Sequence, residues 1–173
     1  MRRFSPRQIA FAGIVAALYA AITILCAPFS YGAIQFRIAE ALTVLCCFSP
    51  TAIFGMVIGC IGANVISSVG AFDILFGAMA TLLACLVTSK IKQVWLVPFP
   101  AIIFNALIVG AEIAFFVDGG AFWSAFAINA LSVAAGEAAV MVLLGIPLFL
   151  YLQKSNIGQK LHALGDPSAS DGR

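Results

Sequence analysis

Polar positions in this chain are so widely spaced that long stretches carry almost none. Apolar runs extend from Gln8 to Ala27, where Pro28 stops them, then from Gln35 to Phe48, Ala52 to Val69, Asp73 to Thr88, Trp95 to Val117 and Ala121 to Tyr151. A membrane-crossing helix needs about 20 mainly apolar residues, so the runs predict six spans. The second is short and is closed by the turn Ser49-Pro50-Thr51. The fifth starts at Trp95 or just after Pro98 and Pro100, and Asp118-Gly119-Gly120 is a hairpin turn before the sixth. A membrane β-barrel would alternate apolar and polar residues with a period of two. These runs are continuous and rich in Ala, Leu and Gly, which favours helices. The expected architecture is an all-α integral membrane protein, a six-helix bundle over residues 1–152. A polar tail, 153–173, is expected to be disordered.

Composition agrees: of 173 residues, 63% are hydrophobic and 9% charged, and the mean hydropathy is +1.11. A soluble domain carries about 25% charged residues, so the soluble class is excluded. Gly lacks a three-residue period, which excludes collagen. The basic residues then set the topology. Arg2, Arg3 and Arg7 precede the first span, Lys90 and Lys92 lie between the fourth and fifth, and Lys154, Lys160 and Arg173 follow the sixth. Six spans put all eight on one side, the cytoplasmic side, with both termini inside a prokaryotic cell membrane. The exception is Arg37, near the outer end of the second span.

The N-terminus imitates a signal peptide, but its apolar run is longer than the usual 7–15 residues or so. Leu25 before Cys26 also fails the small-residue requirement of a lipoprotein signal. An uncleaved first span is expected. The five cysteines (Cys26, Cys46, Cys47, Cys60 and Cys85) all lie in apolar segments without metal-ligand spacing. They are expected to be buried thiols acting as small hydrophobes.

Five charged residues fall inside predicted spans: Arg37, Glu40, Asp73, Glu112 and Glu137. Each costs about 3 kcal/mol or more if exposed to lipid at the bilayer centre. The topology brings them, with Asn64, Ser67, Ser68, Asn105 and Asn129, to the outer half of the bundle. Structural roles are available for each alone. Arg37 and Glu40 are i,i+3 neighbours and can neutralise each other. Asp73 can cap a helix, and the asparagines can join helices. The set as a whole resists that account, because one arginine faces four acids. Three surplus carboxylates in one cavity repel each other or take up protons. A small cationic or donor-rich ligand in an outward-facing pocket resolves the excess. Phe29, Tyr31, Phe36, Phe72, Phe122 and Trp123 ring the same level, either as an interfacial belt or as a stacking wall for a flat heterocycle. Trp95, on the inner side, is a belt anchor.

Several functions lack their motifs. No phosphate-binding loop, no internal repeat and no metalloprotease or serine-hydrolase motif is present, and His162 in the tail is the only histidine. Enzyme chemistry would rest on carboxylates alone, so the chain is read as a non-enzyme. The expectation is a small substrate-binding subunit that borrows energy from partners. The first span offers small-residue ridges, Ala12, Ala16 and Ala20, and beside them Gly13, Ala17 and Ala21, suited either to a partner helix or to packing within the bundle.

Ordered segments along most of the chain carry a family resemblance. They are Ala17-Leu18-Tyr19-Ala20-Ala21 with Ala27-Pro28, then the stretch from Tyr31 to Thr43 containing Gln35-Phe36-Arg37-Ile38-Ala39-Glu40. Gly59 to Asn64, Phe72 to Gly77, Ala80-Thr81-Leu82, Asn105 to Glu112, Gly136-Glu137 and Leu144 to Leu148 follow in order. The chain resembles the QueT family, substrate-binding S components of energy-coupling factor (ECF) transporters assigned to queuosine precursors. Ala39, where the family pattern has Ser, and Ala134-Ala135, where it has Gly closer to the Glu, depart from it. The resemblance implies an outer pocket gated by the loop after the first helix. It implies docking to a transmembrane T component with two ATPases, and import by toppling of the S component. Ala12, Ala16 and Ala20 would contact the T component. The chain itself would bind no cofactor, ATP being used by the partners, and no nucleic acid. The implied ligand is a deazaguanine. Glu112 and Glu137 would accept from its guanine-like N–H edge or its ammonium, with Glu40 and Asp73 as further candidates. Arg37 would orient Glu40 or contact a carbonyl, and Asn64, Asn105 and Trp123 would complete the site. The alternative from another class is a stand-alone proton- or cation-coupled carrier, with the acids as its coupling site. A purely structural membrane subunit, binding no small molecule, is the third reading.

Overall fold

A computed structural model describes residues 4–27, 35–67, 70–116 and 121–165. Every regular element among them is helical. Helix α1 (Pro6–Leu25) opens on a capping box: the Ser5 hydroxyl accepts from the Gln8 amide, and the Gln8 side chain accepts from the Ser5 amide. Helix α2 (Ile38–Phe48) winds as a tight 3-10 helix over Ile38–Val44 before relaxing to α geometry. Helix α3 is Ala52–Asn64 and α4 is Ala71–Thr88. Helix α5 (Pro98–Phe116) follows a short turn at Val94–Leu96. Helix α6 runs over Phe122–Lys154 and widens to a π-helix at Met141–Gly145. The widening has a local cause: Pro147 has no N–H to continue the ladder.

Four of these stretches are long and apolar enough to cross a membrane: Pro6–Leu25, Ala71–Thr88, Val94–Phe116 and Phe122–Lys154. The expected second and third spans are shorter. Helix α3 ends at Asn64, not Val69, so at about 1.5 Å per residue it rises about 20 Å, well under a hydrocarbon core of about 30 Å. Their polar content gives the reason. Arg37 and Glu40 open α2, and Asn64 ends α3 on a side chain that is tied to its neighbours.

The helices pack in sequence order, α1 on α3, α3 on α4, α4 on α5 and α5 on α6, with α2 threaded among them. Small residues set these approaches. A Cβ at Gly55 would lie 2.5 Å from the Ala12 carbonyl oxygen, and one at Gly59 would lie 2.7 Å from the Ala16 oxygen. The ridge Ala12, Ala16, Ala20 is thus partly turned toward α3, while Gly13, Ala17 and Ala21 are exposed. Two apolar clusters fill the centre, one around Val15, Tyr19, Met56 and Cys85, the other around Val44, Phe48, Val97 and Met141.

The tail departs from expectation. Residues Asn156–Gly165 form a further helix, α7, folded under the basic end of the bundle. Leu161 is buried with Phe48, Phe149 and Leu152. His162 contacts the Phe48 ring at 5.2 Å between centroids, and the Gln8 amide nitrogen donates to the Leu164 carbonyl at 2.8 Å. Within the stretch 156–165, Leu161 and Leu164 make this packing, while Ile157 is exposed. The remainder of the tail, Arg2 and Arg3, the loop 28–34 with Phe29 and Tyr31, Ser68, and the turn at 117–120 lie outside the described residues.

Candidate functional site

At the end of the bundle opposite the basic residues, α1 and α3 finish, α4 begins and α5 finishes. Four spans' worth of apolar surface surrounds a polar interior there. Its core has two layers. The outer layer centres on Arg37, which is 2% exposed. Arg37 Nη2 donates to Asn64 Oδ1 at 3.0 Å, and Asn64 Nδ2 donates to the Asp73 carbonyl at 2.8 Å. The Ser67 hydroxyl donates to the Asp73 carboxylate. Asp73 sits in the first turn of α4 behind Gly70, which occupies the cap position with φ of 67°. Asp73 is therefore a first-turn charge near a helix N-terminus, a favourable place for a carboxylate.

The deeper layer centres on Glu40. Its Oε1 accepts from the Tyr19 hydroxyl at 2.6 Å and from Thr81 Oγ1 at 2.8 Å. Thr81 also lies 3.4 Å from Cys60 Sγ, and Cys60 lies 3.9 Å from Arg37 Nη2. Arg37 and Glu40 do not simply cancel as an i,i+3 pair. Their side-chain hydrogen bonds run to different helices, and Arg37 Nη1 and Glu40 Oε2 are both buried without a partner among the described residues.

Glycine is what lets these groups meet. A Cβ at Gly77 would collide with Asn64 Nδ2 and lie 3.4 Å from Arg37 Nη2, so α4 passes against the arginine only because residue 77 has no side chain. A Cβ at Gly136 would run into the Gln35 carbonyl. That close approach seats α6 on the segment entering Arg37 and delivers the next residue, Glu137, to the same interior. Thr43 Oγ1, 3.9 Å from Met141 Sδ, continues the α2–α6 contact below it.

Three further polar residues are buried with no partner among the described residues on either functional oxygen or nitrogen: Asn105, Glu112 and Glu137. Asn105 and Glu112 share one face of α5, two turns apart. Glu137 is fully buried, and the charges of Glu40 and Arg37 act on it. An ionised carboxylate buried alone costs several kcal/mol, and native interiors rarely leave buried polar atoms unsatisfied. Among the described residues, acceptors stay unpaired on Glu40, Glu112, Glu137 and Asn105 and donors on Arg37 and Asn105, so this interior accepts more hydrogen bonds than it donates.

Seven of the predicted site residues thus share this half of the bundle: Arg37, Glu40, Asn64, Asp73, Asn105, Glu112 and Glu137. Trp123 does not join them. It is 78% exposed and contacts Phe122 and Phe126, as a belt residue does. Trp95, at the basic end, is likewise exposed. Asn129 bonds back to the Ala125 carbonyl of its own helix at 2.9 Å. The five cysteines are free thiols, but Cys60 belongs to the polar cluster and not to the apolar core alone. Tyr19, Thr81, Cys60 and Gly77 were not anticipated as site residues. The available signal for Tyr19 and Thr81 was a single hydroxyl near the middle of an otherwise apolar span.

A family model described as QueT transporter matches residues 9–154. Over 84 residues the chain is 34% identical to the queuosine precursor transporter QueT of Lactococcus lactis subsp. cremoris (strain MG1363), a match covering 47% of this chain and 49% of that protein. The chain therefore spans about half the length of the curated relative it matches. No solved structure matches it. The chain belongs to the QueT transporter family.

Proposed function

We propose that this QueT-family chain is the substrate-binding S component of an ECF-type importer. It captures a deazaguanine queuosine precursor in an outward-facing pocket of a prokaryotic cell membrane. Six membrane crossings with both ends in the cytoplasm put the basic residues inside and the polar cluster outside. The observation that carries the reading is the set of buried carboxylates without a partner among the described residues, Glu112 and Glu137 with one oxygen of Glu40, and a single buried arginine. A lactam–amidine edge brings adjacent N–H donors and a carbonyl acceptor. The donors match the carboxylates, and the carbonyl matches Arg37 Nη1 or the Asn105 amide. The relative's printed name, queuosine precursor transporter, agrees with that ligand class.

Uptake would be driven by a T component and two ATPases, since the chain carries no phosphate-binding loop of its own. The small residues of α1 are the contact for the T component. Mass spectrometry of small molecules that co-purify with the protein tests the ligand class: a deazaguanine is expected. Reconstituted vesicles test the coupling. Uptake is expected only with the T component, the ATPases and ATP. Uptake by the chain alone, driven by a proton gradient, would establish the stand-alone carrier instead.

A further inference from the structure

Glu40 divides the use of its two oxygens. Oε1 accepts from the Tyr19 hydroxyl at 2.6 Å and from Thr81 Oγ1 at 2.8 Å. Oε2 is buried with no partner among the described residues. Thr81 has one proton to give, and its other neighbour, Cys60 Sγ at 3.4 Å, is the weaker acceptor and the more distant. Arg37 is divided in the same way: Nη2 is held by Asn64 Oδ1 at 3.0 Å, and Nη1 has no partner among the described residues.

The two hydroxyls reach Glu40 from different helices, Tyr19 on α1 and Thr81 on α4, and both residues are 0% exposed. Gly59 admits the tyrosine, since a Cβ there would lie 2.8 Å from Tyr19 Cβ. A packed ring and a β-branched side chain leave these donors little freedom to turn. Packing alone does not account for an acid between them. Two hydroxyls directed at one oxygen would be satisfied equally by the carbonyl of an amide. A carboxylate adds a charge and a second buried acceptor. The Arg37 charge acts on Glu40, but no hydrogen bond from the described residues reaches Oε2. A buried acceptor left unmade is costly, and a ligand N–H is the donor that would fill it.

We propose that Tyr19 and Thr81 are positioning residues for ligand binding: by filling Oε1 they fix the Glu40 carboxylate so that Oε2 takes a ligand N–H. The assignment rests on the deazaguanine reading above. Its test is a double-substitution cycle, read by titrating the purified protein in lipid nanodiscs with aminomethyl deazaguanine. Tyr19→Phe keeps the ring and Thr81→Val keeps the shape, and each should weaken the ligand by about threefold to tenfold. Thr81→Ser, which restores the hydroxyl, should bind within about threefold of the native protein. Glu40→Gln should weaken the ligand by about tenfold or more, and in that background Tyr19→Phe and Thr81→Val should change affinity by less than about twofold. A merely structural role predicts the opposite, a loss that persists when residue 40 is Gln. Thr81→Val against Thr81→Ser decides the matter if Tyr19→Phe is not recovered folded. Native-like affinity of both hydroxyl deletions, losses that persist undiminished on Glu40→Gln, or native-like affinity of Glu40→Gln itself overturns the assignment while the deazaguanine reading stands. Absence of binding to the native protein overturns that reading, and the assignment with it.

Discussion

Glu137→Gln should make the ligand-free protein more stable while weakening its ligand. Both oxygens of Glu137 are buried without a partner among the described residues, and the residue is 0% exposed. An ionised group in that position carries a desolvation penalty of several kcal/mol. Proton uptake bounds the penalty: at pH 7 it costs a carboxyl about 3.7 kcal/mol, at 1.36 kcal/mol per pH unit above its ordinary value near 4.3. An amide of the same shape is neutral at no such cost, though it leaves its own polar atoms unsatisfied, as the acid does. The substitution should therefore stabilise the empty protein by about 1–3.5 kcal/mol. At about 2–4 °C per kcal/mol for a chain of this size, the midpoint of thermal unfolding should rise by roughly 2–14 °C. Ligand affinity should fall at the same time by about tenfold or more, or about 1.4 kcal/mol, because the amide offers one acceptor in place of two. Thermal unfolding of purified protein, with and without a saturating deazaguanine, reads both effects. A lower midpoint for the empty variant would refute the reasoning, since it would mean that the Glu137 carboxylate is satisfied within the native protein.

Other perturbations probe the surrounding architecture. Gly77→Ala places a Cβ against Asn64 and the Arg37 guanidinium. It should cost about 1–3 kcal/mol by overpacking and weaken the ligand, read by the same melts and titrations. Trp123→Ala, at a residue 78% exposed, should leave affinity within about threefold. A greater loss by titration would return Trp123 to the pocket. Deletion of the chain from Asn156 onward removes Leu161 from the cluster with Phe48, Phe149 and Leu152, uncovering apolar side chains worth about 1.5–3 kcal/mol each. A lower thermal midpoint with unchanged ligand affinity is expected.

The site was legible where its chemistry contradicted its surroundings. A charge inside an apolar run is costly wherever it stands, so Arg37, Glu40, Asp73, Glu112 and Glu137 declared themselves without any knowledge of the fold. Their gathering followed from counting turns along alternating helices, with Asn64 and Asn105 added by the same count. What stayed hidden was of two kinds. Tyr19, Thr81 and Cys60 are ordinary in a membrane helix, and only the three-dimensional meeting of α1, α3 and α4 at Glu40 gives them a role. Gly77 and Gly136 act by what they lack, and a sequence does not tell which glycine a neighbour presses against. Trp123, expected at the site from its level, is instead 78% exposed. Its level along the helix was right, but level does not fix which side of a helix faces inward. Helix lengths failed for a related reason: hydropathy sees apolar residues past Asn64, whereas the hydrogen bonds of Asn64 to Arg37 and to the Asp73 carbonyl end α3 there.

The same distinction between level and side moves the expected partner contact on α1 by one residue. The ridges Ala12-Ala16-Ala20 and Gly13-Ala17-Ala21 are indistinguishable by spacing. In the folded chain the carbonyls of Ala12 and Ala16 lie against Gly55 and Gly59 of α3, while a Cβ on Gly13 would meet nothing within 4 Å. Ala12 and Ala16 keep one flank on a shallow groove of 290 Å³ shared with Gly13, Phe54 and Ile58. A bulky residue at Ala16 therefore has to displace α3, and should cost the isolated protein about 1–3 kcal/mol. A bulky residue at Gly13 or Ala17 projects from the bundle, and should leave isolated stability and ligand affinity unchanged. If a partner helix packs closely on α1, Gly13→Leu and Ala17→Leu should block its approach and abolish co-purification with the T component. Assembly that survives both substitutions, and fails only on Ala12→Leu or Ala16→Leu variants that still melt normally, would put the contact back on the ridge first inferred from spacing.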